Sequence, residues 1–216
     1  MVKHLRRIIV DAVSFSEGAL DEAVRAIGAG GVIALPTDTL YGLGADPFRP
    51  DAVARVFAVK GRGAERALPL IAADTDQIAD RLGPLPELAR RLASRFWPGP
   101  LTLLLPASGA MAPGVSGGTG TVGVRIPSHA IARALCRACG SPLTATSANI
   151  SGAGPSADPD EIERALGDRI DLLVDAGTTP GGPPSTIVDA TGASPRLVRE
   201  GAIAWGEIEA WLRGTP

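Results

Sequence analysis

At 216 residues the chain is long enough for one substantial core, and no repeat or linker divides it. Hydrophobic residues make up 45% and charged residues 20%, as in ordinary globular proteins, and a formal net charge of −2 argues against bulk electrostatic nucleic-acid binding while leaving room for a local basic cleft. No run approaches the roughly 18 apolar residues of a membrane span. The basic N-terminus resembles the start of a signal peptide, but Asp11 interrupts its apolar part after three residues, so a cytoplasmic protein is expected.

Residues 16–28 place Leu20, Ala23, Val24 and Ile27 on one face, with Ser16 to cap and Gly28 to end a helix. The apolar run 32–35, between glycine and proline, reads as a buried strand. Pro36 ends its ladder, and Thr37, Asp38, Thr39 and Tyr41 follow at the carboxyl end, where open α/β sheets bind ligands. Thr, Asp and Gly also build tight turns, and the residues alone leave both readings open. A helix from Asp51, with Val53, Val56 and Phe57 inward, runs into Lys60-Gly61-Arg62. A strand at 68–73 and helices at 75–82 and 86–96 follow, then the rigid turn Trp97-Pro98-Gly99-Pro100.

The run 101–105 is a continuous apolar strand, and the Gly-, Pro- and Ser-rich stretch 107–120 reads as a long mobile loop and lid candidate. A strand at 121–126 carries Arg125, which there wants an anionic partner. After a helix from Ser128 to about Cys139, a strand at 143–148 runs into a second polar cluster, Ser147-Ala148-Asn149-Ile150-Ser151-Gly152. Helix 159–167, strands 172–175, 185–189 and 196–199, and helix 205–213 complete the pattern. Strands and helices interleave without strict alternation, which predicts an α/β mixed sheet with helices packed on it.

Of the 21 basic residues only Lys3 and Lys60 are lysine and 19 are arginine. Where arginine serves as the generic cation, Lys60 is either a point charge chosen for a phosphate or small anion or simply a surviving surface lysine. Cys136 and Cys139 form a CxxC inside a helical pattern, with no second ligand pair and only His4 and His129 as histidines, so packed, reduced thiols are expected rather than a zinc or redox site. No P-loop, HExxH or GxSxG occurs. A GxGxxG at Gly118, Gly120 and Gly123 precedes a strand instead of joining strand to helix, and reads as a chance match. What remains is Thr39, Lys60, Arg62, Arg66, Thr121, Arg125, Ser147, Asn149, Ser185 and Arg199, cations and hydroxyls without an acid/base pair. Such a set catalyses by positioning and by stabilising phosphate charge, which fits nucleotidyl transfer better than hydrolysis.

The order PTDTLYGLGAD, KGR, WPGPLTLLL, VGVRIPSH, TSANISG, STIVD and LVREG, from about Leu20 to Gly201, resembles that of the threonylcarbamoyl-adenylate synthases, the YrdC-like family. The resemblance implies a YrdC-like twisted, largely parallel mixed sheet with a basic concave surface. It implies a single domain over 1–216 with its core at about 16–201, lacking the extra C-terminal domain of longer members. The implied reaction joins L-threonine, bicarbonate and ATP into threonylcarbamoyl-AMP and pyrophosphate. That product serves N6-threonylcarbamoyladenosine formation in tRNA and passes to a tRNA threonylcarbamoyltransferase complex, with direct tRNA contact a further possibility. Mg²⁺ is expected with ATP, without an organic cofactor or a protein-held metal.

Carried onto matching positions, the resemblance makes Lys60, Arg62, Ser147 and Asn149 catalytic. It assigns Arg62, Arg66, Thr121, Ser147 and Arg199 to ATP, and Thr39, Arg125 and Ser185 to threonine. Arg125 would pair bidentately with the threonine carboxylate. Gly63 stands where the family usually has Pro, which predicts a looser loop, and Ile71 stands where many members have a His near the substrate. An RNA-binding module and a carbamoyl-transfer module are the alternatives. The first predicts salt-dependent RNA binding, and the second predicts use of carbamoyl phosphate.

Overall fold

The computed structural model describes residues 5–64 and 66–214; Lys3 and His4 lie outside the described residues. In chain order the first half forms β1 (Arg6–Ile9), a 3-10 turn (Glu17–Leu20), α1 (Asp21–Gly28), β2 (Ile33–Leu35), β3 (Gly42–Gly44), α2 (Pro50–Lys60), β4 (Leu70–Ile71), α3 (Thr75–Leu82) and α4 (Glu87–Phe96). The second half forms β5 (Leu101–Pro106), β6 (Thr121–Arg125), α5 (Ala130–Ala138), β7 (Leu143–Thr144), β8 (Thr146–Ser147), α6 (Pro159–Leu166), β9 (Leu172–Asp175), β10 (Thr186–Asp189), β11 (Arg196–Arg199) and α7 (Trp205–Gly214).

The fold is α/β as expected, but the strands divide into two mixed sheets instead of one largely parallel sheet. One has the order β1-β9-β2-β3-β8 and the other β11-β10-β5-β6-β4-β7. Parallel pairings (β1/β9, β2/β9, β5/β10, β4/β6) are interleaved with antiparallel ones (β2/β3, β3/β8, β10/β11, β5/β6, β4/β7). The expected strand at 143–148 is two strands. The chain leaves the second sheet after Thr144 and joins the first at Thr146, and the switch at Ala145 is where a cavity opens.

Two apolar clusters fill the space on either side of the shared strands. Val32 and Ala34 face one cluster while Ile33 and Leu35 face the other, and Leu173 opposes Leu172 and Val174 in the same way. Burial on both faces is why these strands read as continuous apolar runs. Helices α1 and α5 cover the second cluster through Ala23, Ile27, Ile131 and Leu135, and α2 and α4 cover the first through Val53, Val56, Phe57 and Leu92.

Helix α2 starts with Pro50 in its first turn, where a missing N–H is no loss, and ends on Gly61 in the left-handed region at φ 61°. That reversal separates Lys60, buried at the helix end, from Arg62, which turns to the cavity. The stretch 107–120 is not a free lid. Val115 and Ala112 are buried, and backbone bonds run from Leu68 N to Val115 O and from Ala112 N to Pro47 O.

Candidate active site

The polar ends of both sheets meet around a cavity of about 510 Å³. One wall is the pleated face of the six-stranded sheet: Thr102 and Leu104 of β5, Gly123 and Arg125 of β6, Ile187 of β10 with Ser185 just before it, and Arg199 of β11. The period of two puts each pair on one face. Gly123 keeps that face open, since a Cβ there would meet Thr102 Cγ2 at 3.1 Å. The opposite wall is the β2–β3 turn, with Thr37, Thr39, Tyr41 and Gly42, and the Ala145-Thr146-Ser147 switch; Arg62 reaches in from the end of α2. Among the described residues no carboxylate lines the cavity.

Lys60 does not line the cavity; it stands behind the wall at 2% exposure. Its ammonium donates to Ser147 O at 2.8 Å, to Ser147 Oγ at 3.3 Å and to Asn149 Oδ1 at 2.7 Å. Ser147 Oγ in turn donates to Asn149 Oδ1 at 2.6 Å, and Asn149 Nδ2 donates to Ile150 O and Ala153 O. Lys60 therefore braces the Ser-x-Asn loop through three neutral acceptors. Burial, with Arg62 nearby, pulls its pKa down to about 8 from 10.5.

Arg125 is buried at the cavity wall, and Asp38 Oδ1 lies 3.0 Å from its Nη1. Burial lowers the guanidinium from its ordinary value, Asp38 raises it and Arg199 lowers it further, so the two arginines feel each other across the cavity. Ser185 Oγ shares a 2.8 Å hydrogen bond with Thr102 Oγ1, and Arg199 Nη2 donates to Ser185 O at 2.7 Å. Gly201 fits only as glycine, because a Cβ there would collide with Pro184 O and stand 2.7 Å from Ser185 C.

Thr39 is fixed from two directions. Its backbone N–H donates to Thr37 Oγ1 at 3.2 Å, while Thr39 O accepts from Gly181 N at 2.8 Å and from Thr179 Oγ1 at 3.0 Å. Tyr41, fully buried, donates its hydroxyl to Gly177 O at 2.8 Å and accepts from Ala176 N at 3.2 Å. The loop after β9 is thus strapped onto the turn after β2.

Thr39, Arg62, Arg125, Ser147, Ser185 and Arg199 come together around the cavity, and Lys60 and Asn149 stand directly behind Ser147. Thr121 lies at the start of β6, two residues from Gly123 on the same strand face, with its hydroxyl 3.1 Å from Thr119 Oγ1. Arg66 is exposed and does not line the cavity. Ile71 is buried in the second apolar cluster with Ile33, Leu35 and Cys136, and it too does not line the cavity. Sequence reasoning missed Thr102, hidden inside an apolar run, and Thr179 in the 176–184 loop. It also missed that Asp38 is the anion beside Arg125.

The two thiols are packed. Cys136 is fully buried and donates to Ile71 O at 3.4 Å, and burial pushes the half-buried Cys139 up to about 11. Among the described residues no group of three His, Cys, Asp or Glu could hold a metal. Among the described residues the cavity wall carries hydroxyls and cations but no carboxylate, the side chain that most often anchors Mg²⁺.

The family model for Sua5, YciO and YrdC proteins, whose description reads "Telomere recombination", matches residues 25–201. The chain belongs to the Sua5/YciO/YrdC family. It is 39% identical over 203 residues to a Bacillus subtilis protein named threonylcarbamoyl-AMP synthase, spanning 94% of this chain and 59% of that protein. A Vibrio parahaemolyticus protein of the same name is 36% identical over 183 residues, 84% of this chain and 98% of the relative. The crystal structure of P. abyssi Sua5 complexed with L-threonine superposes with a TM-score of 0.89 at 38% identity, over 95% of this chain and 60% of that one. The chain therefore spans about three fifths of the length of the Bacillus and Pyrococcus relatives.

Proposed function

We propose that the cavity makes L-threonylcarbamoyl-AMP from L-threonine, bicarbonate and ATP, releasing pyrophosphate. The observation that carries this reading is the charge of the wall: Arg62, Arg125 and Arg199 converge among hydroxyls, with no acid among the described residues that line the cavity, and Lys60 adds a buried cation behind. Such a wall suits a polyanion and a carboxylate at once. Relatives named threonylcarbamoyl-AMP synthase and a threonine complex of a family member support the substrates.

In this reading Arg125 takes the threonine carboxylate, with Thr39 and Ser185 around the rest of the amino acid. The threonine amine adds to the bicarbonate carbon with loss of water. A carbamate oxygen then bonds to the α-phosphorus as the bond from that phosphorus to the bridging oxygen of pyrophosphate breaks. Arg62 and Arg199 meet the phosphate charge, and Ser147 and Asn149, held by Lys60, shape the pocket for the reacting groups. Mg²⁺ enters as part of the nucleotide substrate. Thr121 extends the wall toward the nucleotide, whereas Arg66 makes at most an outer contact with ATP. The product is a labile mixed anhydride, so a tRNA-modifying transferase consumes it nearby; direct tRNA contact is not needed for this step.

The test is incorporation of ¹⁴C-bicarbonate. Labelled carbon in an AMP adduct that forms only with both ATP and threonine supports the proposal. Incorporation from carbamoyl phosphate in place of bicarbonate would replace it with carbamoyl transfer, and no incorporation beside tight, salt-dependent RNA binding would replace it with a binding module.

A further inference from the structure

Arg125 lines the cavity, yet the fold already gives it a carboxylate. Asp38 Oδ1 stands 3.0 Å from Arg125 Nη1 with both side chains only 9% exposed. Neither atom makes a well-aligned hydrogen bond, so the contact is charge against charge instead of a closed two-pronged fork. Asp38 itself is set by the protein. Its Oδ2 accepts from Ser128 N at 3.3 Å, and it sits between Thr37 and Thr39, whose hydroxyls are 3.2 Å apart in the same turn. Asp38 does not line the cavity. It can act on a ligand there only through Arg125.

A buried guanidinium without a fixed anion would be driven toward solvent by desolvation and by its repulsion from Arg199. Asp38 opposes both. Resting on the synthase reading above, we propose that Asp38 is a positioning residue that holds Arg125 so that its remaining N–H donors meet the carboxylate of threonine. The Pro-Thr-Asp-Thr turn would thereby bind the amino acid twice, through Thr39 directly and through Asp38 at one remove. The opposite arrangement, in which Asp38 merely competes with the substrate for Arg125, predicts the reverse response to its removal.

The experiment measures kcat and the KM values for threonine and ATP, together with thermal stabilisation by each substrate, in wild type, Asp38→Asn and Asp38→Glu. Positioning predicts that both variants raise the KM for threonine by about tenfold or more while the KM for ATP stays within about twofold. Stabilisation by threonine is then lost and stabilisation by ATP is kept. If Asp38→Asn does not fold, Asp38→Glu, which keeps the charge and moves the carboxylate by one methylene, carries the test alone. Tighter threonine binding in Asp38→Asn would overturn positioning in favour of competition. An equal loss of kcat with both KM values unchanged would reduce Asp38 to a structural role. A wild-type protein whose turnover and melting ignore threonine would overturn the synthase reading itself, whatever the variants do.

Discussion

Replacing Lys60 by methionine separates what this residue does for stability from what it does for activity. The ammonium's three hydrogen bonds are worth about 1 kcal/mol each net, or about 3 kcal/mol together. Against this, holding the charge in a site where its pKa is about 8 instead of 10.5 costs about 3 kcal/mol. No acceptor is orphaned by the change, since Ser147 O keeps Asn149 N at 2.9 Å and Asn149 Oδ1 keeps the Ser147 hydroxyl at 2.6 Å. The net change in stability is therefore within about 2 kcal/mol, or under roughly 8 °C in Tm. Pyrophosphate release, by contrast, falls by about 100-fold or more, because the Ser147-Asn149 loop loses its brace and the site loses a cation.

The pH dependence gives a second handle on Lys60. Below pH 8 folded and unfolded chains both hold the proton and the penalty is constant. Between about 8 and 10.5 the unfolded chain holds a proton that the folded chain has released, so stability rises with pH. Urea unfolding of wild type and Lys60→Met at pH 7 through 10.5 reads this directly, because subtraction cancels the tyrosine and cysteine contributions common to both. The difference should grow in favour of wild type by about 3 kcal/mol over that range. A flat difference, or a variant with wild-type turnover, would refute the placement of Lys60.

Tyr41→Phe removes a buried hydroxyl with two partners and should cost about 1–3 kcal/mol in urea unfolding. Because burial raises Tyr41 to about 12 from 10.0, wild-type stability should also fall between those pH values, and the variant should lose that decline. Gly201→Ala forces the 184–185 backbone away from β11. It should cost about 1–3 kcal/mol and raise the KM for threonine through Ser185, with substrate-dependent melting as the check. Native protein should resist iodoacetamide at pH 8, since burial raises both thiols, and should label only after denaturation.

Elements with strong local signals were legible from the residues. Helix α3 falls on 75–82 because Asp74 caps it, accepting from Gln77 N at 2.9 Å, and α2 ends at the glycine that the pattern marks. Strand β3, Gly-Leu-Gly, has almost no strand propensity and exists because it is paired on both sides, with β2 and β8. Strand β1 is a short, half-exposed edge whose arginines conceal it; Arg7 is turned to Asp175, Glu163 and Asp160. The division into two sheets was not legible, because strands covered on both faces carry no alternation to say which face belongs to which layer. The tethering of 107–120 was hidden in two small apolar residues, Ala112 and Val115, among glycines.

At the site, the motifs mark strand ends that the fold brings to one cavity, but pairwise contacts are not in the pattern. Lys60 faces the Ser147-Asn149 loop, and Arg125 has Asp38 as a neighbour, because three-dimensional burial decides which acceptors and anions are within reach. Thr102 has the wrong company in sequence and the right company in space, beside Ser185.

Pyrophosphate release with threonine, bicarbonate and ATP omitted in turn asks whether one cavity couples all three. Release should need threonine and bicarbonate together and fall to background when either is left out. Release from ATP alone at the full rate, or none with all three present, would contradict it.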